Sequence, residues 1–341
     1  MAYAADSRSV QEIDSDIRRN QELVRRQAAL EGHAVDLSRL ERWLHQCVPH
    51  LDRKFAHPPL RWHDAIQLQA ELAGFWPSKA GEYYATITWS SAASRGRNWD
   101  DPQELVRNEA DHLAHGESLW VSGEMMDVVV TAAKTLPAHT EITDSDIPFP
   151  AGLAVLEHNN PIQDYQGGQA TMSALSWGPY VALGGRRGLR CELYAYVQTV
   201  EPGMPRLLPM VPDIVIELDA PLGDLDPLVR LCATFLLLLG QPLAATELQE
   251  PPRYLRRQAI RDHRQLQPIR LITLRRSRHD SEPGLPNTGR DWSCRWVVSP
   301  FWRRQWYPSE QRHRMILVGP YVKGPADKPL VVRDKIYKWV H

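Results

Sequence analysis

The spacing of hydrophobic residues predicts a mainly helical region over residues 1–148. Apolar residues recur every three or four positions between 9 and 52, and Gly32 and Pro49 stand where two successive helices would end. Further helices are predicted over 63–75, 101–115 and 121–135. The segment 82–89 alternates in the manner of a half-buried strand, with aromatic and aliphatic residues at every second position.

After the proline-containing connection 137–150, the apolar residues no longer recur every three or four positions but at every second position. Strands are predicted over 152–156, 171–183, 189–200 and 214–218, with glycine and proline in the turns between them. The segment 226–240 is apolar on nearly every side, and Asp226, Pro227 and Gly240 are suited to its cap, its first turn and its end. The region 149–250 is therefore predicted to be β-rich and to end in a buried helix.

The region 251–341 combines clustered arginines with predicted strands at 269–274, 295–306, 315–322 and 334–340. Together the three regions predict an α+β protein. It would have a helical N-terminal part, a β-rich middle, and a C-terminal antiparallel sheet with a basic and aromatic face.

Charge is divided unevenly along the chain. The 341 residues include 40 Lys and Arg and 41 Asp and Glu, for a net charge of −1. Residues 251–341 hold 20 of the basic and 7 of the acidic residues, a net +13, and residues 1–250 hold 20 and 34, a net −14. The uneven charge distribution has two possible explanations: the basic region binds an external polyanion, or it pairs with the acidic part of its own chain.

The segment 295–307 carries the candidate nucleic-acid site. Read as a strand, it places both aromatic and arginine side chains on each of its faces. Flat rings stack on unpaired bases, and guanidinium groups neutralise phosphates. The alternative is a strand packed between two layers, with its tryptophans in the core and its arginines at the rim. The predicted nucleic-acid-binding residues are Trp302, Arg303, Arg304, Trp306, Arg312, Lys323, Arg275 and Arg276.

The same segment has a catalytic interpretation. Cleavage of RNA without a metal needs a base with a near-neutral pKa, an acid, and a cation that stabilises the phosphorane. His313 and Tyr307, close to Arg303 and Arg304 in the chain, are the candidate catalytic residues. A hairpin turn at 308–309 with exposed polar groups explains the same residues without catalysis.

No metal site or cofactor is predicted. HxCxxH at 45–50 and DHxxH at 111–115 are isolated, without the second ligand pair of a structural zinc site. The four cysteines form no CxxC pair, and no phosphate loop or dinucleotide-binding motif occurs. The chain also has no apolar run of about 18–20 residues and no signal-peptide pattern. We therefore expect a cytoplasmic protein with reduced cysteines and no membrane partner.

Two strings resemble a protein family that is widespread in actinobacterial genomes and their mobile elements, and whose function is uncharacterised. The first consists of RWVVSPFWRRQWYPS at 295–309, His313, GPYVKGP at 319–325 and KPL at 328–330, and it is similar to the family's closing module. The second, DIPFPAGLAVLE at 146–157, is similar to its central motif, so that the resemblance covers the last two-thirds of the chain. Where the family has Val-Arg-Gly-His-Trp-Arg, this chain has VSPFWR at 298–303. Phe301 thus stands in place of a histidine, which argues against catalysis at that position, and the resemblance assigns no site residue.

These observations lead to one main hypothesis and two alternatives. The main hypothesis is a cytoplasmic nucleic-acid-associated protein of a plasmid, prophage or defence system, which binds through phosphate charge and stacking. The first alternative is a metal-independent nuclease. The second is an immunity or antitoxin component whose acidic N-terminal helices bind a basic protein. The main hypothesis predicts binding that weakens with salt, the nuclease predicts a cleaved product, and the protein-binding component predicts neither.

Overall fold

The computed structural model describes residues 38–47, 58–93, 102–163, 169–181, 185–198, 201, 203–223, 227–261, 266–275, 293–325 and 328–331, with five helical positions between 15 and 22. Most of the predicted helix at 9–32 and all of the predicted strand at 334–340 lie outside these residues. The described part has the predicted α+β architecture, with helices on both faces of a mixed sheet and two small C-terminal sheets.

Four helices precede the main sheet. They are α1 (Ser38–Cys47), α2 (Trp62–Phe75), α3 (Lys79–Ala93) and α4 (Pro102–His115). The helices expected near 36–49, 63–75 and 101–115 are thereby confirmed.

The strand predicted over 82–89 is wrong, because these residues belong to helix α3. The Ser78 Oγ atom accepts a hydrogen bond from the Gly81 amide at 3.2 Å, which stabilises the first turn of this helix. Tyr84 is buried, and its ring packs at centroid distances of 6.3 Å from Trp43 and 6.1 Å from Phe75. Packing within this aromatic cluster therefore overrides the strand-like alternation.

The main sheet has seven strands in the order β5-β4-β3-β2-β1-β7-β6. Strand β1 lies between β2 and β7 and runs parallel to both, and the other pairs are antiparallel. The strands are β1 (Glu117–Val121), β2 (Gly152–Gln163), β3 (Gln169–Val181), β4 (Arg187–Tyr196), β5 (Leu207–Glu217), β6 (Ala244–Gln249) and β7 (Ile269–Leu274). Strands β1 and β6 were not predicted. The sheet draws strands from all three regions predicted from the sequence, 1–148, 149–250 and 251–341.

Each face of the sheet is covered by helices. Helices α1 to α4 pack on one face, in a core that includes Leu153, Val155 and Ala174. Helices α5 (Gly123–Ala133) and α6 (Pro227–Leu239) pack on the other face. The prediction of a buried helix at 226–240 is confirmed by α6. Ser122 separates β1 from α5 and caps that helix, because its Oγ accepts a hydrogen bond from the Met125 amide at 3.3 Å.

A seventh helix and five short strands complete the described part. They are α7 (Arg253–Arg261), β8 (Arg295–Val298), β9 (Phe301–Tyr307), β10 (Arg312–Val318), β11 (Tyr321–Lys323) and β12 (Leu330–Val331). The single strand expected over 295–306 is divided at Ser299 and Pro300, and the one over 315–322 at Gly319 and Pro320. Proline cannot donate to a strand ladder, so each break falls where a proline stands. Strands β9 and β10 form a separate hairpin on the α5 and α6 side.

None of the helices in the described ranges combines the length and the apolar character that are needed to cross a membrane.

Candidate nucleic-acid interface

The β9–β10 hairpin is anchored to the body of the protein at one end. Trp302 packs against the core, and its indole Nε1 donates a hydrogen bond to the Ala132 carbonyl at the end of α5, at 3.0 Å. Leu317, its cross-strand neighbour, is 7% exposed. The side chain of Gln241 bonds the outer edge of β10, donating to the Met315 carbonyl at 3.1 Å and accepting from the Leu317 amide at 2.8 Å. These contacts give the hairpin a defined position beside helices α5 and α6.

Two arginines of β10 are used for internal ion pairs. Asp146, whose side chain is 8% exposed, accepts hydrogen bonds from Arg312 Nη2 and Arg314 Nε at 2.9 Å each. Glu310 in the hairpin turn pairs with the same two arginines at 2.8 and 3.2 Å. Thr143 also bonds Arg312, through its Oγ1 at 2.8 Å. Arg312, a predicted nucleic-acid contact, therefore holds the hairpin to the turn at 144–146.

Electrostatics stabilise the charged form of Asp146. Burial disfavours its ionisation, but the hydrogen bonds from Arg312, from the amide and hydroxyl of Thr143, and from Arg314 outweigh this effect. The pKa of Asp146 is therefore held below its usual range. Part of the charge asymmetry of the sequence is thus satisfied within the fold.

The remaining basic side chains of the hairpin and two of its aromatic rings are exposed. Arg303 and Arg304 are exposed, and in the described part of the chain neither forms an ion pair. Trp306 is 45% exposed and lies across from His313, with ring centroids 4.9 Å apart. Phe301 is 39% exposed. We call these five residues the exposed ribbon.

The exposed ribbon has two faces because side chains alternate along a strand. Arg304, Trp306 and His313 lie on one face, and Phe301 and Arg303 lie on the other. Each face of β9 thus pairs one guanidinium group with one partly exposed aromatic ring. A two-stranded ribbon of this width can enter the major groove of a duplex, and its rings can also stack on unpaired bases.

The other predicted contacts do not belong to the hairpin. Lys323 is exposed on β11. Arg275 is exposed at the end of β7, and its amide donates to the Leu243 carbonyl at 2.8 Å, two residues from the Gln241 that bonds β10. Arg276 lies outside the described residues.

The hairpin does not bring the predicted catalytic residues to a common face. Tyr307 pairs with Arg312 and His313 pairs with Trp306, so that the phenol and the imidazole project from opposite sides. The Tyr307 ring instead lies 5.5 Å from the Arg314 guanidinium. An acid and a base must both reach the same phosphate, and this arrangement separates them.

The histidines of the DHxxH motif also point to different places. His115 is exposed and pairs with the Asp111 carboxylate at 2.9 Å, whereas His112 is 7% exposed and faces the sheet. Among the residues that the structure describes, no three His, Cys, Asp or Glu side chains are grouped so as to hold a metal ion. All four cysteines are described, and each is a free thiol.

Sequence reasoning missed a buried polar cluster between α4 and strands β3 and β4. Glu109 is fully buried, and its Oε2 accepts hydrogen bonds from Ser176 Oγ and the Tyr194 hydroxyl, each at 3.0 Å. Burial raises the pKa of Glu109 and lowers that of His112. The His112 ring lies against Gly178, where an added Cβ would be 2.0 Å from it. The buried cluster therefore fixes α4 to the sheet.

A signal for the buried cluster was present in the sequence. Arg190, Glu192 and Tyr194 occupy alternate positions of β4, as polar residues do on the solvent side of a strand. In the structure this face is covered by α4, and all three residues are buried. The pattern predicts which residues share a face, and the position of the helix determines that this face is inside.

Comparisons with known proteins yield a distant structural likeness. No protein-family model matches the chain, and no curated protein matches it. Among solved structures, the crystal structure of AcrVA2 is similar at 11% sequence identity and a TM-score of 0.35, over 76% of this chain and 93% of that chain. A likeness at this level carries no argument about function.

Proposed function

We propose that the protein binds nucleic acid through the exposed ribbon of the β9–β10 hairpin. One observation carries the proposal: Arg303 and Arg304 are exposed and outside every described ion pair, beside two partly exposed aromatic rings, while Arg312 and Arg314 are held by Asp146. The fold accounts for the second pair of arginines and leaves the first pair available to phosphates.

The aromatic residues strengthen the proposal. Large hydrophobic side chains that stay exposed next to charged ones are typical of interaction surfaces. Trp306, 45% exposed, can stack on a base at a gain of about 1–3 kcal/mol. Lys323 on β11 and Arg275 at the end of β7 add further exposed positive charge. Arg312 acts as a positioning residue that orients the ribbon.

The proposal includes the setting predicted from the sequence. The protein acts in the cytoplasm, in the context of a mobile element or a defence system. The nuclease alternative has less support, because His313 and Tyr307 lie on opposite faces of the hairpin.

The test is fluorescence anisotropy of labelled single-stranded and duplex oligonucleotides over about 50–300 mM salt. Each lost phosphate contact lowers the slope of log K against log salt by about 0.7 for single strands and 0.9 for duplexes. The Arg303→Ala/Arg304→Ala variant should therefore lower it by about 1.4 or 1.8. Trp306→Ala should weaken single-strand binding by about 5- to 150-fold and change duplex binding less.

The matched control is Arg107→Ala/Lys134→Ala, which removes two exposed positive charges, one from α4 and one from the C-cap of α5. It should bind like the wild type. Equal slopes for the ribbon variant and the wild type would overturn the proposal. An absence of binding at the lowest salt would also overturn it, and would favour a protein partner for the acidic N-terminal helices. Shortened probes on a gel would show cleavage and replace simple binding by the nuclease alternative.

A further inference from the structure

Helix α7 presents a row of arginines that form no ion pair with any residue in the described ranges. Leu255 and Ala259 are buried at 2% and 7% exposure and attach the helix to the protein. Arg253, Arg257 and Arg261 are one helical turn apart and lie on the opposite, exposed side. The row is about 12 Å long, the axial length of three to four nucleotides of one strand.

The arginine row is electrostatically unfavourable by itself. The helix contains four arginines and no acidic residue. Like charges four residues apart destabilise a helix, and Arg253–Arg257 and Arg257–Arg261 are two such pairs. Among the residues that the structure describes, none of the four arginines has an ion-pair partner, whereas Arg206 pairs with a carboxylate at 2.7 Å. A polyanion bound along the helix would remove this repulsion.

Exposed apolar side chains accompany the arginines. Tyr254 is 55% exposed and lies three residues before Arg257, so that its ring borders the row. Ile260 is 73% exposed, the highest value among the large hydrophobic residues of the described part. An aromatic ring beside guanidinium groups suits bases and phosphates together, as it does in the exposed ribbon.

The arginine row and the exposed ribbon lie on opposite faces of the main sheet. Leu255 of α7 belongs to the core between the sheet and helices α1 to α4. Leu317 and Trp302 of the hairpin belong to the core on the α5 and α6 side. With about 10 Å for each packed layer, the two surfaces are about 20 Å apart or more. A straight nucleic-acid segment bound at one surface does not reach the other.

We propose that the arginine row of α7 is a second nucleic-acid-binding surface, and that the protein links two nucleic-acid segments, one at each face of its sheet. The class of ligand rests on the proposed function. The separation of the two surfaces, and the exposure of the α7 arginines away from any described carboxylate, rest on the fold.

The test is a linkage assay. Beads that carry a biotinylated duplex are loaded with protein and washed, and a second, fluorescent duplex is then added. The wild type should retain the second duplex. The Arg253→Ala/Arg257→Ala/Arg261→Ala variant should still bind the first duplex through the exposed ribbon, but should retain at least about tenfold less of the second.

Two controls separate lost binding from lost folding. The alanine variant removes repulsive charges and adds the best helix former, so its melting temperature should equal or exceed that of the wild type. The Arg253→Lys/Arg257→Lys/Arg261→Lys variant keeps the three charges and should retain the second duplex. If the alanine variant retains the second duplex like the wild type, the linkage proposal is overturned and binding through the ribbon stands.

The hairpin variant distinguishes the two proposals. Arg303→Ala/Arg304→Ala should also lose linkage while still binding one duplex through α7. A different result is possible: the Arg303→Ala/Arg304→Ala variant binds and links duplexes like the wild type, and the α7 alanine variant loses all binding. In that case α7 is the binding surface, and both the ribbon proposal and the two-surface linkage are wrong. Fluorescent polyglutamate, added in place of the second duplex, should be retained on the beads less strongly. Equal retention of polyglutamate and of the second duplex would overturn the assignment to nucleic acid.

Discussion

Asp146→Asn should weaken the attachment of the hairpin to the body of the protein. Asp146 accepts hydrogen bonds from Arg312 at 2.9 and 3.1 Å, from Arg314 at 2.9 Å, and from the amide and hydroxyl of Thr143 at 3.0 and 2.9 Å. Asparagine has nearly the same shape. It lacks the charge, however, and turns an amide group toward donors.

The magnitude follows from the burial of the three side chains. Removing one partner of a fully buried ion pair costs about 3–5 kcal/mol. Here the carboxylate is 8% exposed, but the Arg312 and Arg314 side chains are 25% and 24% exposed and regain some hydration when the charge is lost. We therefore expect the free energy of unfolding to fall by about 2–3 kcal/mol.

The matched control is Glu310→Gln, which removes a carboxylate from the same two arginines. The Glu310 side chain is 33% exposed, so we expect a loss of about 0–1 kcal/mol. Urea unfolding gives both values, and hydrogen exchange should show faster opening of β9 and β10 in Asp146→Asn only. If the two variants lose equal stability, or if Asp146→Asn loses less than about 0.5 kcal/mol, the role of the Asp146 anchor is refuted.

The same anchor makes stability depend on pH. The folded pKa of Asp146 lies below its unfolded value of 3.8, so the unfolded chain binds more protons between these two values. The stabilisation is complete above the unfolded pKa and is lost as the pH falls through the folded pKa. Urea unfolding of the wild type should show this loss at acid pH, and Asp146→Asn should lack it. Parallel curves for the two proteins would contradict the argument.

Three further substitutions test the interior. Gly178→Ala should lower the free energy of unfolding by about 1–3 kcal/mol, because the added methyl group would lie 2.0 Å from the His112 ring. The loss should be smaller in a His112→Ala background, and additive losses in urea unfolding would contradict this contact. Burial raises the folded pKa of Glu109 above its unfolded value of 4.5, so the free energy of unfolding of the wild type should fall as the pH rises from 4.5 through the folded pKa. Glu109→Gln should lack this pH dependence. An unchanged pH dependence in the variant would refute the raised pKa of Glu109. Trp302→Phe should lower the free energy of unfolding by about 1 kcal/mol, because it removes the hydrogen bond to Ala132. Trp306→Phe should lower it by about 0.5 kcal/mol or less, because Trp306 is exposed. Equal melting temperatures of the two variants would contradict the anchoring role of Trp302.

Several elements were predictable because their signals are local. Helix α6 begins at Pro227 and ends before Gly240, and its apolar composition alone indicates burial. Helix α4 likewise begins at Pro102, the proline from which the start of this helix was predicted. In such segments the caps and the hydrophobic period lie within one stretch of chain, and they agree with the final fold.

Other elements depend on contacts between distant residues. The segment 82–89 is helical because Tyr84 packs against Trp43 and Phe75, which alternation within the segment does not encode. Strand β1 is five residues long and is placed between β2 and β7, with Leu119 opposite Arg270. Short strands of this kind carry little pattern of their own, and their partners stabilise them.

The sequence by itself determined the α+β class, the buried helix α6 and the concentration of arginines and aromatic rings in the last 91 residues. Only the tertiary structure decided how those arginines are used. Arg312 and Arg314 meet Asp146, more than 160 residues away in the chain, whereas Arg303 and Arg304 meet no described carboxylate. The physical reason is range: helix periods and caps act between neighbouring residues, but ion pairing and burial act between whichever side chains the fold brings together.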